Sequence, residues 1–279
     1  MSAHRAGPAA EFETGCGEVP VLMYHSIATE ATRKFRRFAV HPGEFAAQMA
    51  YLRAAGYHPV TAAELAAARY GGTLPTRPVV LTFDDAYTDF YSTALPILHE
   101  HGFGATLYVP TAYVGATTRF NVSVGEQDRA VLSWRALGEV AAAGVEVAAH
   151  SHTHPQLDRV PAAVLGDEVR RCRDMLADKL GLPVDGFAYP FGYWNRAVRA
   201  AVAAAGYRYA CAVDELTTAP DDDLLTLPRL TVNAGIGAAG LARLLGARPA
   251  PGGRRTAAVK RTAWRSVRRF VPLAGGAVK

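Results

Sequence analysis

The feature that most constrains this chain is a repeated alternation of short apolar runs and helix-patterned segments. Apolar runs at 19–25, 79–83, 105–109, 145–149, 186–190, 207–213 and 225–232 read as strands buried on both faces. Between them lie segments with helical spacing: Phe45, Met49 and Leu52, an Ala-rich stretch opened by Thr61, a helix carrying Leu95 and Leu98, one capped by Ser133, and others at about 162–180 and 195–205. Strand followed by helix, many times over, predicts a parallel α/β sheet. Most runs end in polar or ionisable residues, which suits a distorted or incomplete (β/α) barrel of about seven parallel strands, with its site on the C-terminal rim. An open doubly wound sheet is the alternative, but no Gly-rich phosphate loop follows any of the strands.

Size and composition agree with one large domain. The 279 residues are half apolar, with 20% charged. Cys16, Cys172 and Cys211 are too scattered for a disulfide framework or a metal knot. The net charge of +5 is deceptive, because nine Lys or Arg and no acid lie between Arg248 and the C-terminus. Without them the remainder carries 5 − 9 = −4, so the charge implies no nucleic-acid partner. The expected organisation is a flexible N-terminus (1–17), one main folded domain (18–247) and a basic tail (248–279). Residues 1–14 lack the apolar core of a secretory signal and no run reaches membrane-spanning length, so a cytoplasmic protein is expected. In the tail, Trp264, Val267 and Val271 share a helical face among five cations. It reads either as an amphipathic helix for peripheral contact with an anionic membrane or as a disordered cationic segment.

Two clusters carry chemistry. Val79–Phe83 delivers Asp84 and Asp85 to a strand end, where they read by themselves as a helix N-cap. Because side chains alternate along a strand, neighbouring carboxylates take different roles unless the chain turns between them. His150, His152 and His154, three of only nine histidines, follow the strand at 145–149. Imidazoles gathered at a strand rim point to a divalent metal, and two of them with one carboxylate leave positions open for water and substrate.

Thr82-Phe83-Asp84-Asp85, His150-Ser151-x-x-His154 and Tyr189-Pro190-Phe191-Gly192 together resemble the motifs of the NodB-type polysaccharide deacetylases, the family 4 carbohydrate esterases. Val21 to Ser26 resembles the opening strand of the branch containing the biofilm poly-N-acetylglucosamine deacetylases. The resemblance spans about residues 18–235. It implies a hydrolytic deacetylase acting on an N-acetylated saccharide or glycan. Asp85, His150 and His154 would hold a metal, most often zinc, with cobalt or nickel also suited to the donors. Asp84 would be the base on metal-bound water, and Tyr189, Pro190, Phe191 and Trp194 would border the substrate. His152 stays an alternative ligand, since residues two apart share a strand face.

The chain departs from the family in three places. No His follows His154, so the acid for the leaving amine falls to His25 on the first strand. The arginine expected before Pro190 is replaced at Ala188; Arg229 either supplies its charge from the last strand or is a solvated strand-end residue. Ala86 stands where Gly is usual, which at this level puts little in doubt. Trp134 reads as packing. O-acetyl ester hydrolysis, cyclic amide hydrolysis and carbohydrate binding without turnover remain rival readings.

Overall fold

A computed structural model describes residues 12–13, 17–247 and 256. The basic tail read as either an amphipathic helix or a disordered segment, and most of the N-terminal segment with Cys16, lie outside the described residues. Seven parallel strands form the main sheet: β1 (Val21–Tyr24), β2 (Pro78–Phe83), β3 (Thr106–Val109), β4 (Glu146–Ala149), β5 (Gly186–Ala188), β6 (Tyr209–Cys211) and β7 (Leu230–Thr231). Their spatial order is β6-β5-β4-β3-β2-β1-β7. A further strand, His58–Val60, pairs with the first half of β2. The sheet curls until its edges approach each other. Just before β7, Leu227 donates to Ala210 O at 2.8 Å and accepts from Ala212 N at 2.7 Å, tying the β7 segment back to β6. The architecture is a distorted α/β barrel.

Helices α1 (Pro42–Ala54), α2 (Ala62–Ala68), α3 (Leu95–Glu100), α4 (Trp134–Ala142), α5 (Ala162–Leu180), α6 (Arg196–Ala204) and α7 (Gly237–Gly246) complete the units. Several of their starts follow capping chemistry. Thr61 and Glu64 form a reciprocal capping box on α2, while Ser133 and Asn195 accept the N–H of Ala136 and Val198. Gly181 ends α5 in the left-handed conformation. The 111–130 segment contains two 3-10 turns, Thr111–Tyr113 and Arg119–Val124. The strand at 58–60 and helix α7 were not foreseen; three residues, or a short Gly- and Ala-rich stretch, give no usable period.

Strand parity divides the core in two. Leu22, Leu81, Leu107, Val147 and Phe187 face outward into the layer shared with Phe45, Met49 and Val169 of the helices. Val21, Val80, Tyr108, Ala148, Ala188, Tyr209 and Leu227 face inward, with Leu65 and Ala66 of α2 packed among them. The inward parity, carried one or two steps further, reaches His25, Asp84, His150 and Arg229. A two-residue period in the core sequence therefore aims these four side chains at one place.

Candidate active site

The four inward side chains meet at the C-terminal rim. Arg229 is fully buried and grips Asp84 in a fork, Nη1 to Oδ1 at 2.7 Å and Nη2 to Oδ2 at 2.8 Å. It also donates to Thr82 Oγ1 at 3.2 Å and, from Nε, to Ala212 O at 3.1 Å. A solvated strand-end arginine is ruled out by that burial. Burial would raise the Asp84 carboxyl, but the positive charge and forked hydrogen bonds of Arg229 override it and hold the group well below the carboxylate range.

Asp85 would face outward by strand alternation. It does not, because the chain turns there: φ is +75° at Asp85 and +52° at Ala86. That turn replaces the helix cap suggested by the pair alone. It also gives Ala86 a conformation that glycine adopts without steric cost, so the substitution carries local strain. Asp85 Oδ1 lies 3.6 Å from His150 Nε2 and 3.3 Å from His154 Nε2. One donor atom from each of these buried residues fits within 4.8 Å of the others.

The donor set fits a divalent cation. His150 Nδ1 sits 2.8 Å from Ala188 O, which fixes its proton there and leaves Nε2 as a lone-pair donor. Burial lowers the pKa of His150 and His154, so both favour the neutral form that a metal requires. Asp85 Oδ1 is buried with no hydrogen-bond partner. Burial, then the nearby Asp84 charge, pushes its carboxyl up to about 7, an expense that a bound cation would reverse.

The His150–His154 turn is held from below. Ser151 has φ +62° and His154 +57°, and Ser151 Oγ accepts the His154 N–H at 3.0 Å. Glu168 on α5 accepts the Thr153 N–H at 2.7 Å and its hydroxyl at 2.5 Å. His152 is outside the cluster; its Nδ1 lies 2.9 Å from Thr111 Oγ1.

A cleft of about 390 Å³ opens above these groups. His25, Phe38, Asn121, Phe191 and Asn233 contribute to its lining. The His25 ring packs on Phe38 at 4.7 Å, and burial together with the charges of Arg229 and Arg37 outweighs Asp84 to bring its pKa down to about 4. His154 lies between Phe120, stacked at 4.2 Å, and Phe191 at 4.8 Å. Phe191 has φ +60° and is 48% exposed, an apolar ring held at the mouth by a strained backbone.

Three expected wall residues do not line this cleft. Tyr189 is fully buried and donates to Leu225 O at 2.7 Å; Pro190 is buried beside it. Trp194 packs partly buried against the outer core, as does Trp134. Strand parity explains the correction: Tyr189 falls on the outward phase of β5, and Trp194 follows it into the helix layer. Phe38, Phe120 and Asn121 escaped notice because they come from loops that show no periodicity.

The family model for polysaccharide deacetylase matches residues 71–210. The chain belongs to the polysaccharide deacetylase family. A poly-β-1,6-N-acetyl-D-glucosamine N-deacetylase of Staphylococcus epidermidis is 24% identical over 211 residues, covering 72% of this chain and 71% of that protein. The Escherichia coli K12 protein of the same name is 34% identical over 135 residues, 47% of this chain but only 20% of that protein. The structure of the Streptococcus pyogenes deacetylase PplD in complex with acetate superposes with a TM-score of 0.71 at 26% identity, covering 81% of this chain and 97% of that one. Among the described residues no helix is long and apolar enough to cross a membrane.

Proposed function

We propose that this polysaccharide deacetylase is a metal-dependent hydrolase that removes N-acetyl groups from an N-acetylhexosamine glycan. The observation that carries the reading is the separation of two adjacent carboxylates, Asp84 on Arg229 and Asp85 against His150 and His154. The relatives named poly-N-acetylglucosamine deacetylases support that substrate class.

Asp85, His150 and His154 would hold the ion. When bound, it supplies Lewis acidity, lowering the pKa of water and polarising the acetamide carbonyl. Asp84 stays ionised across neutral pH, so it is always ready to accept a proton. Its fork to Arg229 also makes it a weak base, suited to a water that is already acidified. Arg229 fixes the direction of the carboxylate lone pairs and carries no proton traffic. His25 rests neutral near pH 7. It acts as the acid for the leaving amine after taking up a proton during turnover, and Asp84 is the nearby source. Phe191 and Phe38 offer apolar faces to the sugar ring at the mouth.

The test is acetate release from N-acetylglucosamine oligomers, before and after chelation, with zinc or cobalt restored. Metal-restored release is expected. Asp84→Asn should abolish it while sparing metal binding, and His25→Ala should lower turnover strongly without releasing metal. Acetate release that survives complete chelation removes the metal from the reading; release only from O-acetylated polymers moves the chain to ester chemistry.

A further inference from the structure

Asp85 is an unevenly satisfied carboxylate. Its Oδ1 has no hydrogen-bond partner, while its Oδ2 accepts the Tyr87 hydroxyl at 2.7 Å. Tyr87 is fully buried, and its hydroxyl in turn accepts Asn121 Nδ2 at 2.8 Å. The direction of this chain follows from the donors available. An amide nitrogen only donates, so the Tyr87 oxygen receives from Asn121 and its single proton has no role but to serve Asp85. Asn121 sits on the 3-10 turn Arg119–Val124 and also borders the cleft.

The Tyr87 ring has no freedom to leave this position. It meets Phe35 edge-on at 5.7 Å, and the Arg129 guanidinium lies over both rings, at 5.6 Å from Tyr87 and 5.3 Å from Phe35. Arg129 is itself pinned by Asp89 at 3.2 Å and Glu126 at 3.1 Å. The 111–130 segment is thereby docked on the Asp84-Asp85 turn by charge, ring packing and one amide.

We propose that Tyr87 is a positioning residue that divides the work of the two Asp85 oxygens, reserving Oδ1 for the ion, and that Asn121 sets the polarity of its hydroxyl. Resting on the metal-dependent reading above, this assignment adds a link between the cleft-bordering 119–124 turn and the metal ligand. Occupying Oδ2 with a neutral donor favours one-oxygen coordination by Asp85 and keeps the carboxylate from swinging away from His150 and His154.

The experiment is zinc and cobalt titration of the full chain by competition with a chelating dye, together with the visible spectrum of the cobalt form. Tyr87→Phe keeps the ring and removes only the hydroxyl. It is expected to weaken metal affinity roughly 10–100-fold and to alter the cobalt spectrum, as Oδ2 becomes free to coordinate. Asn121→Leu should give a smaller loss in the same direction, and it serves if Tyr87→Phe folds poorly. Thermal melting of the metal-free variants separates a packing role, which would lower the melting temperature and leave affinity and spectrum alone. Unchanged affinity and spectrum in both variants overturns the assignment, with metal binding by the wild type intact. Absence of any metal binding by the wild type overturns the assignment together with the reading beneath it.

Discussion

Replacing Arg229 by Met tests the inner half of the site. Asp84 is 3% exposed, and the forked contact at 2.7 and 2.8 Å supplies its only opposite charge within hydrogen-bond reach among the described residues. Removing the guanidinium leaves a buried anion and also frees Thr82 Oγ1 and Ala212 O from their donor. Breaking one side of a buried pair costs about 3–5 kcal/mol. For a domain of this size that corresponds to roughly 6–20 °C in Tm. Adding Asp84→Asn to Arg229→Met removes the stranded charge, so the double variant should be more stable than Arg229→Met alone. The effect has a defined pH sign. Asp84 has a folded pKa depressed below its unfolded value of about 3.9, so its contribution is complete above that value and fades as pH falls through the folded pKa. The gap between wild type and Arg229→Met therefore narrows as pH falls, because acid neutralises the stranded carboxylate of the variant first. Urea unfolding of the metal-free proteins at several pH values reads all of this. Strictly additive losses in the double variant, or a gap that widens under acid, would refute the reasoning.

Other expectations follow from the same geometry. Metal affinity should rise as pH approaches 7 from below and flatten above it, because Asp85, raised to about 7, must shed its proton while burial biases His150 and His154 toward the neutral form. Calorimetry in buffers of different ionisation enthalpy should find one proton released at pH 6; two or three would mean that the histidines titrate as well. Glu168→Gln places an amide donor against the Thr153 N–H or hydroxyl, and should cost about 1–3 kcal/mol by denaturation with roughly a tenfold loss of metal affinity. Gly192→Ala is expected to destabilise by about 1–3 kcal/mol, since φ is +71° and the new Cβ would lie 2.6 Å from Val213 Cβ and 2.9 Å from its backbone N. An alanine variant as stable as the wild type would show that the Phe191–Gly192 turn yields easily.

The sequence makes the fold legible because the barrel repeats one device. Apolar runs buried on both faces, most of them followed by a helix, need no long-range information to be recognised, and the cap at Thr61 and the stop at Gly181 stand where local chemistry puts them. Parity along the same strands carries part of the site. Asp84, His150 and Arg229 are inward residues whose meeting was open to a reader of the alternation. Parity misassigns residues once the backbone turns beyond a strand end. Asp85 reaches His150 and His154 only through a backbone reversal, and Trp194 leaves the cleft although it follows a rim motif. The loops show no period, so Phe38, Phe120 and the Tyr87–Asn121 contact come into view only in three dimensions.

Backbone conformation makes the same distinction in energetic terms. Seven described residues other than glycine have positive φ, and six of them, Asp85, Ala86, Ser151, His154, Phe191 and Glu215, follow the C-terminal ends of β2, β4, β5 and β6. Each left-handed residue with a Cβ costs about 1–2 kcal/mol. Stability alone would place glycine or asparagine at such points, and in Asp85, His154 and Phe191 the chain instead keeps side chains with chemical or apolar work at the cleft. The strain persists because the surroundings over-determine it: Ser151 Oγ on the His154 N–H, Glu168 on Thr153, and Tyr87 on Asp85. A rim assembled from regular strand ends would separate Asp84 and Asp85 onto opposite faces of the sheet. Turning the chain at Asp85 lets one dipeptide supply both an arginine-held carboxylate and a carboxylate facing His150 and His154, which is why conformational cost is taken on there.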